Sequence, residues 1–177
     1  MYSFIIQSSN PRSTGEFNPE DSTLQDAMET VFPMMAERAI ISWNNTYIPV
    51  CYKYDLGVMI DDILYMLNCI RSADSGQVAI AWPSDTFRSD WEISWDENMI
   101  SIFAKWETML GHVESLLNES NSLTVSKMAY QSEWKKLLEV VINSLMQCGY
   151  SIEKLYDMKK LVVEYDAIAK FGLYYND

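Results

Sequence analysis

The sequence predicts an α+β fold, with one antiparallel sheet of about five or six strands, helices packed on one face and a C-terminal helical part. Short runs that alternate apolar and polar residues dominate residues 1–106, whereas apolar residues recur at helical spacing across 107–177. The chain has 177 residues and is 49% hydrophobic, so it can bury a substantial core. No repeat or linker interrupts it, and we expect a single domain over residues 1–177.

The N-terminal segment is expected to form a strand, a loop and a short helix. Residues 2–7 are aromatic and β-branched, as in a strand, and residues 8–21 are polar and contain prolines and a glycine, as in a loop. Ser22 and Gln25 form a capping-box pattern that predicts the start of a helix, and Pro33 is expected to end it.

A hairpin is predicted next. The β-rich runs 38–43 and 46–52 are separated by Asn44 and Asn45, and asparagine tolerates the positive φ angles of a tight turn. Pro49 cannot donate a hydrogen bond to a neighbouring strand, so the second strand is expected at a sheet edge or at a bulge.

The next helix is expected to begin near Asp55, which can cap it. Asp61 and Asp62 follow early in this helix, where the helix dipole favours negative charge. Adjacent helical residues point about 100° apart, so the two carboxylates do not converge easily on one ligand. Their apolar neighbours form one stripe: Leu56, Met59, Ile60, Ile63, Leu64, Leu67 and Ile70.

The clearest period of two lies in the runs 77–82, 90–96 and 100–106, the last two joined by a short polar turn. Trp91 and Trp95 share one side of the middle run and acidic residues share the other. We interpret the tryptophan side as core, because large aromatic side chains dominate buried area and a nucleic-acid stacking site would need basic neighbours.

Helices are predicted for the rest of the chain. Residues 107–118 form a short helix and 125–148 a long one, which Gly149 can end in a left-handed conformation. Ser151 is expected to cap a last helix that runs to about Lys170. The predicted core contains Trp91, Ile93, Trp95, Ile100, Ile102, Ile60, Ile63, Leu67, Leu137, Val141 and Val162.

The charge balance is strongly acidic, with 25 acids against 13 bases and a formal net charge of −12. This balance argues against direct nucleic-acid binding and against an anionic membrane surface, because both need clustered lysine and arginine. Residues 1–104 hold 15 acids and 5 bases, a net of −10, and residues 105–177 hold 10 acids and 8 bases, a net of −2. The acidic excess therefore belongs to the strand-rich part.

The compartment and cofactor predictions rest on what the sequence lacks. The first ten residues show no basic stretch of the kind that opens a secretory signal, and no apolar run reaches the roughly 18 residues of a membrane span. Cys51, Cys69 and Cys148 are far apart and odd in number, which favours free, buried thiols in a reducing cytoplasm over disulfides or a metal knuckle. No cofactor or metal is expected.

The acids concentrate in two places, both candidates for a partner-binding surface. The denser group surrounds the predicted hairpin of the middle strands, and a second group lies in the early loop. Such groups are either solvated turns and strand faces or an anionic surface that steers a basic partner. The candidate partner-binding residues are Asp85, Asp90, Glu92, Asp96, Glu97, Glu16, Glu20 and Asp21.

Candidate catalytic residues are few. His112 is the single histidine, its neighbours form no known catalytic pattern, and a helix-surface position is the simpler interpretation. A small enzyme with a cleft near His112, Asp61 or Asp62 remains one alternative, and an acidic adaptor or regulatory subunit is another. The chain contains no glycine-rich phosphate loop. We therefore do not expect an enzyme.

Residues 77–106 contain Gln-Val-Ala-Ile-Ala-Trp and Asp-Trp-Glu-Ile-Ser-Trp-Asp-Glu-Asn-Met-Ile-Ser-Ile. These runs, with the size and acidity of the chain, resemble the immunity proteins that accompany bacterial contact-dependent growth inhibition toxins. The resemblance implies a protein that binds one cognate toxin domain, here expected to be a basic nuclease, and covers its active site. Carboxylates would then pair with the lysines and arginines that the toxin uses for substrate phosphate.

Overall fold

The computed structural model describes residues 4–34 and 36–169, and the α+β class is confirmed. Tyr2, Ser3 and Lys170 of the predicted elements lie outside these residues. The smaller sheet has the order β1-β2-β3, formed by β1 Phe4–Gln7, β2 Arg38–Trp43 and β3 Thr46–Cys51. The larger sheet has the order β4-β5-β6-β7, formed by β4 Gly76–Ser84, β5 Phe87–Trp95, β6 Met99–Met109 and β7 Ser122–Ser126.

Helices connect and cover these sheets. They are α1 Leu24–Val31, α2 Gly57–Ser72, α3 Glu114–Glu119, α4 Lys127–Gln147 and α5 Met158–Ala167, with a π-helical segment at Tyr52–Leu56 directly before α2. None of the helices in the described residues is long and apolar enough to cross a membrane.

The strands form two antiparallel sheets rather than the one sheet expected from the sequence. The division lies at α2, whose 16 residues stand between β3 and β4 and pack against β4. Short turns join β2 to β3, β4 to β5 and β5 to β6. An intervening helix does not by itself separate strands, because β1 pairs with β2 across α1 and β6 pairs with β7 across α3.

An aromatic cluster joins the two sheets. Trp43 of β2 lies against Trp91 and Trp106 of the larger sheet, with ring centroids 5.4 and 5.0 Å apart. On the other side of Trp91, Trp82 lies at 5.2 Å, and Trp82 also stacks at 6.4 Å on Trp134 of α4. These rings occupy the inner face of the larger sheet, so the prediction that its tryptophan stripe is core is confirmed.

The rest of the predicted core is confirmed, except that one residue is only partly buried. Ten of the eleven residues named from the sequence are buried, and Val162 is partly buried against the same cluster. The buried apolar side chains of both sheets and of the helices belong to one contiguous core.

The start of α1 differs from the prediction by one residue. Thr23, not Ser22, is the N-cap: its hydroxyl accepts from the Asp26 N–H at 3.1 Å, and the Asp26 carboxylate accepts from the Thr23 N–H at 3.0 Å. The predicted partner Gln25 instead donates to Glu29 at 2.9 Å. An ionised aspartate is the stronger acceptor for a backbone N–H, which favours this register.

The segment from 107 to 126 was predicted wrongly. β6 continues to Met109, a turn follows, α3 covers only Glu114–Glu119, and β7 comes next. β7 spans the polar residues between the two predicted helices and the start of the second predicted helix, and its buried residues are Leu123 and Val125. Pairing with β6 decides its conformation, since such a short strand has no stability of its own.

Asp55 anchors the start of α2 to the larger sheet. Its buried carboxylate accepts from the Cys51 N–H at 2.7 Å, from the Thr86 hydroxyl at 2.7 Å and from the Ser84 hydroxyl. Asp55 thus stabilises the helix start, as predicted, but it does so from inside the π-helical turn and not as the N-cap residue.

The last helix, α5, begins at Met158 and not at Ser151, because residues 151–157 form turns. Polar contacts dock α5. The Arg71 guanidinium of α2 donates twice to buried Glu164, at 3.1 and 3.0 Å. From α4, the Lys135 ammonium donates to the Tyr165 carbonyl at 2.7 Å and to the Ile168 carbonyl, at the C-terminal end of α5 where the helix dipole favours a cation.

The Trp95 indole imposes a size limit on Gly76. A Cβ atom at position 76 would lie 2.5 Å from Cζ2 of the Trp95 ring, and that ring is held in place by its N–H donating to the Ala73 carbonyl at 3.1 Å. We therefore expect Gly76→Ala to lower the free energy of unfolding by about 1–3 kcal/mol, the usual range for overpacking. Urea denaturation measures the change.

The control is the same substitution in a Trp95→Phe background, where the shorter ring removes the clash. Gly76→Ala is expected to cost less there than in the natural chain, and the difference is the coupling free energy of the pair. Equal costs in both backgrounds would contradict this explanation.

Candidate functional site

The larger sheet has one buried face and one exposed face. Along β5 and β6 buried and exposed residues alternate almost without exception, because successive side chains of a strand point to opposite sides. We call the exposed side the outer face. Its residues are Gln77, Ala79, Ala81, Asp90, Glu92, Ser94, Ser101, Phe103, Lys105, Ser122 and Thr124.

The outer face carries a concavity of about 640 Å³. Its floor consists mainly of short side chains, among them Ala79, Ser94 and Ser101, and the larger side chains of Glu92 and Phe103 lie among them. Short side chains leave the backbone of the sheet close to the surface. The shape can therefore receive a protruding segment of another protein.

Glu92 and Phe103 stand directly opposite each other on β5 and β6. Phe103 is 47% exposed. Glu92 is exposed as well, and in the part of the chain that the structure describes no ion pair or hydrogen bond engages its carboxylate. An anion and an apolar ring side by side suit a partner that offers a basic and an apolar group together.

Asp90 is partly compensated, in contrast to Glu92. It lies opposite Lys105, whose ammonium forms an ion pair with Glu107 at 2.6 Å. The Glu107 carboxylate, followed by the charge of Asp90, raises the pKa of Lys105. Arg88 is exposed on the same side of β5 and pairs with Asp85. The acids Asp85, Asp90 and Glu107 thus outnumber the bases Arg88 and Lys105 by one at this end of the sheet.

The other acids of the hairpin lie at its two ends. Asp85 is in the β4–β5 turn and pairs with Arg88 at 2.5 Å. Asp96 and Glu97 are in the β5–β6 turn, and the nine residues of β5 between the turns span about 30 Å. The hairpin acids are therefore spread along one strand, and only Asp90 and Glu92 share the outer face.

Asp96 has a structural task in this turn. Its carboxylate accepts from the Asn98 and Met99 N–H groups, each at 2.8 Å, and these hydrogen bonds hold the pKa of Asp96 below its ordinary value. The alternation of the sequence placed Asp96 on the strand face with Asp90 and Glu92. That placement is wrong, because β5 ends at Trp95.

The early-loop acids belong to another part of the molecule. Asp21 accepts from the Asn18 amide at 2.8 Å and from the Tyr150 hydroxyl, which fastens the loop to the segment after α4. Burial, together with the Asp21 hydrogen bond, raises the pKa of Tyr150. Glu16 and Glu20 are exposed on the same loop. Nothing in the described contacts joins these three acids to the outer face.

The candidate catalytic residues do not converge. His112 is exposed in the turn after β6 with φ of 56°, not on a helix surface, and Asp61 forms an ion pair with Lys160 of α5 at 2.7 Å. Within residues 4–34 and 36–169, no group of three or more histidine, cysteine or acidic side chains could hold a metal ion. All three cysteines are free; Cys51 and Cys148 are buried as predicted, and Cys69 is partly exposed.

Sequence reasoning missed Phe103 and the small residues of the concavity as site residues. The signal was present, because Ile100, Ile102 and Ala104 alternate with their neighbours and so assign Phe103 to the opposite face. A search that looks for charge overlooks an exposed aromatic ring and a floor of alanine and serine.

The role of Asp96 predicts a pH dependence. Because its folded pKa is depressed, the stability it contributes is present above its ordinary value of 3.8 and is lost as pH falls through the lower folded value. We therefore expect Asp96→Ala to lower the melting temperature at neutral pH, and the gap from the natural chain to shrink on acidification below about pH 4. Glu97→Ala, in the same turn, is the control. A gap that persists unchanged at pH 2 would contradict this role.

Comparisons of this chain with known proteins found no relative. No family model, no curated protein and no solved structure matches the chain.

Proposed function

We propose that this chain is an inhibitory binding protein of the immunity-protein kind, which holds a basic toxin domain against the outer face and covers its active site. The observation that carries the proposal is the pair Glu92 and Phe103, an uncompensated carboxylate beside an exposed ring within an open concavity. The resemblance of residues 77–106 to such proteins points in the same direction.

Charge supports a basic partner. A net charge of −12 attracts a cationic protein over distances of about a Debye length, roughly 8–10 Å, and orients it during approach. At contact, Glu92 and Asp90 can each accept charge-assisted hydrogen bonds from lysine or arginine. A nuclease uses such residues to hold substrate phosphate, so their engagement blocks the substrate in two ways, by occupying the cations and by filling the space.

The Phe103 ring can supply binding affinity that exposed charges do not. Exposed ion pairs contribute little net affinity, whereas a large aromatic side chain buried at the centre of an interface often dominates it. Phe103 lies next to Glu92 and opposite Ser122 of β7, near the middle of the outer face. We assign Phe103 as the apolar anchor and Glu92 as the main electrostatic contact, with Asp90 beside them. Asp85 and Glu97, at the ends of β5, can contact only a partner that covers the whole strand.

The first test is co-purification with the product of the reading frame immediately upstream of this gene. The proposal expects a stable one-to-one complex in which the toxic activity of that product is abolished. Absence of a complex, or a complex that leaves the activity intact, would overturn the proposed function.

Charge variants then locate the interface. Replacing Asp90 with Asn and Glu92 with Gln together is expected to slow association by about tenfold at low salt and to flatten its salt dependence, because steering charges act mainly on the association rate. Glu16→Gln with Glu20→Gln is the matched control: it removes the same two charges from the early loop. Surface plasmon resonance at several salt concentrations measures both, and equal effects would exclude the outer face as the site.

A further inference from the structure

The edge strands β1, β3, β4 and β7 differ in how far they are protected from pairing with another chain. The edge of β1 is covered by α4, where the Glu133 carboxylate accepts from the Ile6 N–H at 2.8 Å. The edge of β7 is occupied by Asn44, whose amide donates to the Ser122 carbonyl at 2.9 Å. The edge of β3 contains Pro49, which cannot donate to an added strand. Each device prevents another chain from pairing there.

Within residues 4–34 and 36–169, nothing protects the edge of β4 in a comparable way along most of its length. β4 has nine residues, none of them charged, and among the described strands it pairs only with β5. Pro83, near the end of β4, has no N–H, so it occupies a position that makes no hydrogen bond to β5. In an antiparallel pair such positions recur at every second residue. The backbone N–H and C=O groups of Gln77, Ala79 and Ala81 therefore point away from β5. Apart from an Arg88 contact to the Pro83 carbonyl at 3.4 Å, the described residues supply no hydrogen bond to these outward groups.

We propose that the free edge of β4 accepts an extended segment of the basic partner, which adds a strand to the larger sheet. This inference rests on the proposed function and specifies how the partner binds. Main-chain hydrogen bonds to an edge strand provide affinity, and side chains at alternate positions provide specificity. β4 is long and uncharged, so it has no charged side chain of the kind that blunts a sheet edge.

The outer face indicates which side chains the added strand carries. Ala79 lies opposite Glu92, and Ala81 lies opposite Asp90. A strand beside β4 would lie two strand spacings, about 10 Å, from β5. Because alanine is short, a lysine or arginine on the added strand can extend over Ala79 or Ala81 and reach the carboxylate beyond it. The partner segment is therefore expected to carry basic residues at alternate positions.

A second copy of this chain fits this edge poorly. Pairing two β4 edges would bring together two chains that each carry a net charge of −12, and β4 of the second copy has no basic residue to offer Asp90 or Glu92. High net charge of one sign opposes self-association. Charge complementarity thus favours a basic partner.

The test uses a synthetic peptide as long as β4 that alternates arginine with valine, with binding to the full chain followed by fluorescence anisotropy. Two further peptides of identical charge are N-methylated, one at every arginine amide and the other at every valine amide. In an added strand, either the arginine amides or the valine amides face β4, but not both. We expect one methylated peptide to bind at least about tenfold more weakly than the parent, and the other to bind equally well.

Protein variants provide the matching evidence. Ala81→Pro removes one outward N–H without removing a hydrogen bond to β5, and it is expected to lower the affinity for the parent peptide by about tenfold. Glu92→Gln is expected to lower that affinity several-fold and to reduce the salt dependence of binding. Hydrogen exchange adds a readout that needs no substitution, since the amides of Gln77, Ala79 and Ala81 should become protected when the peptide binds.

The outcomes separate the two proposals. If both methylated peptides bind like the parent, binding is electrostatic only and the added strand is excluded. Another outcome is that the upstream toxin is neutralised, with its binding weakened by the Asp90 and Glu92 variants but not by Ala81→Pro. That result would support the proposed function and overturn the addition of a strand at the β4 edge. A dimer in solution that Ala81→Pro converts to a monomer would show that a second copy occupies the edge, and would also overturn the inference.

Discussion

The contact of Trp43 with Trp91 and Trp106 is the constraint on which the rest of the molecule depends. It brings the smaller sheet against the inner face of the larger one, and Trp134 extends the same aromatic layer to α4. The three strands of the smaller sheet share one core with the four strands of the larger sheet. The layer has a direct consequence for function: with every large ring of β5 turned inward, the acids between them must face outward.

The exposure of the outer-face acids therefore follows from the packing of the core. Trp91, Ile93 and Trp95 must be buried, so Asp90 and Glu92 must be exposed. The same alternation along β6 exposes Phe103, for which burial would be favourable, and a partner protein can provide that burial. Where covering elements are present, as at the edges of β1 and β7, they come from α4 and from the β2–β3 turn.

The sequence predicted Asp90 and Glu92 as members of the candidate partner-binding surface but could not separate them from the other acids. Charge and period are local properties, whereas the compensation of a charge depends on distant residues. Asp21 is engaged by Tyr150, 129 positions away, and Asp61 by Lys160. Asp96 is a different case: its partners Asn98 and Met99 are adjacent, and knowing that β5 ends at Trp95 would have assigned it to the turn.

By itself the sequence determined the α+β class, the inward stripe of the larger sheet, the Asn44–Asn45 turn and the acidity of the strand-rich part, because periodicity, turn chemistry and charge are set by neighbours along the chain. Only the tertiary structure decided that the strands divide into two sheets, that residues 122–126 form a strand, and that Asp61 pairs with Lys160 while Glu92 meets no cation among residues 4–34 and 36–169. The pairing of strands, the Asp61–Lys160 ion pair and the protection of sheet edges all join residues far apart in sequence, and only folding selects which of the possible pairs forms.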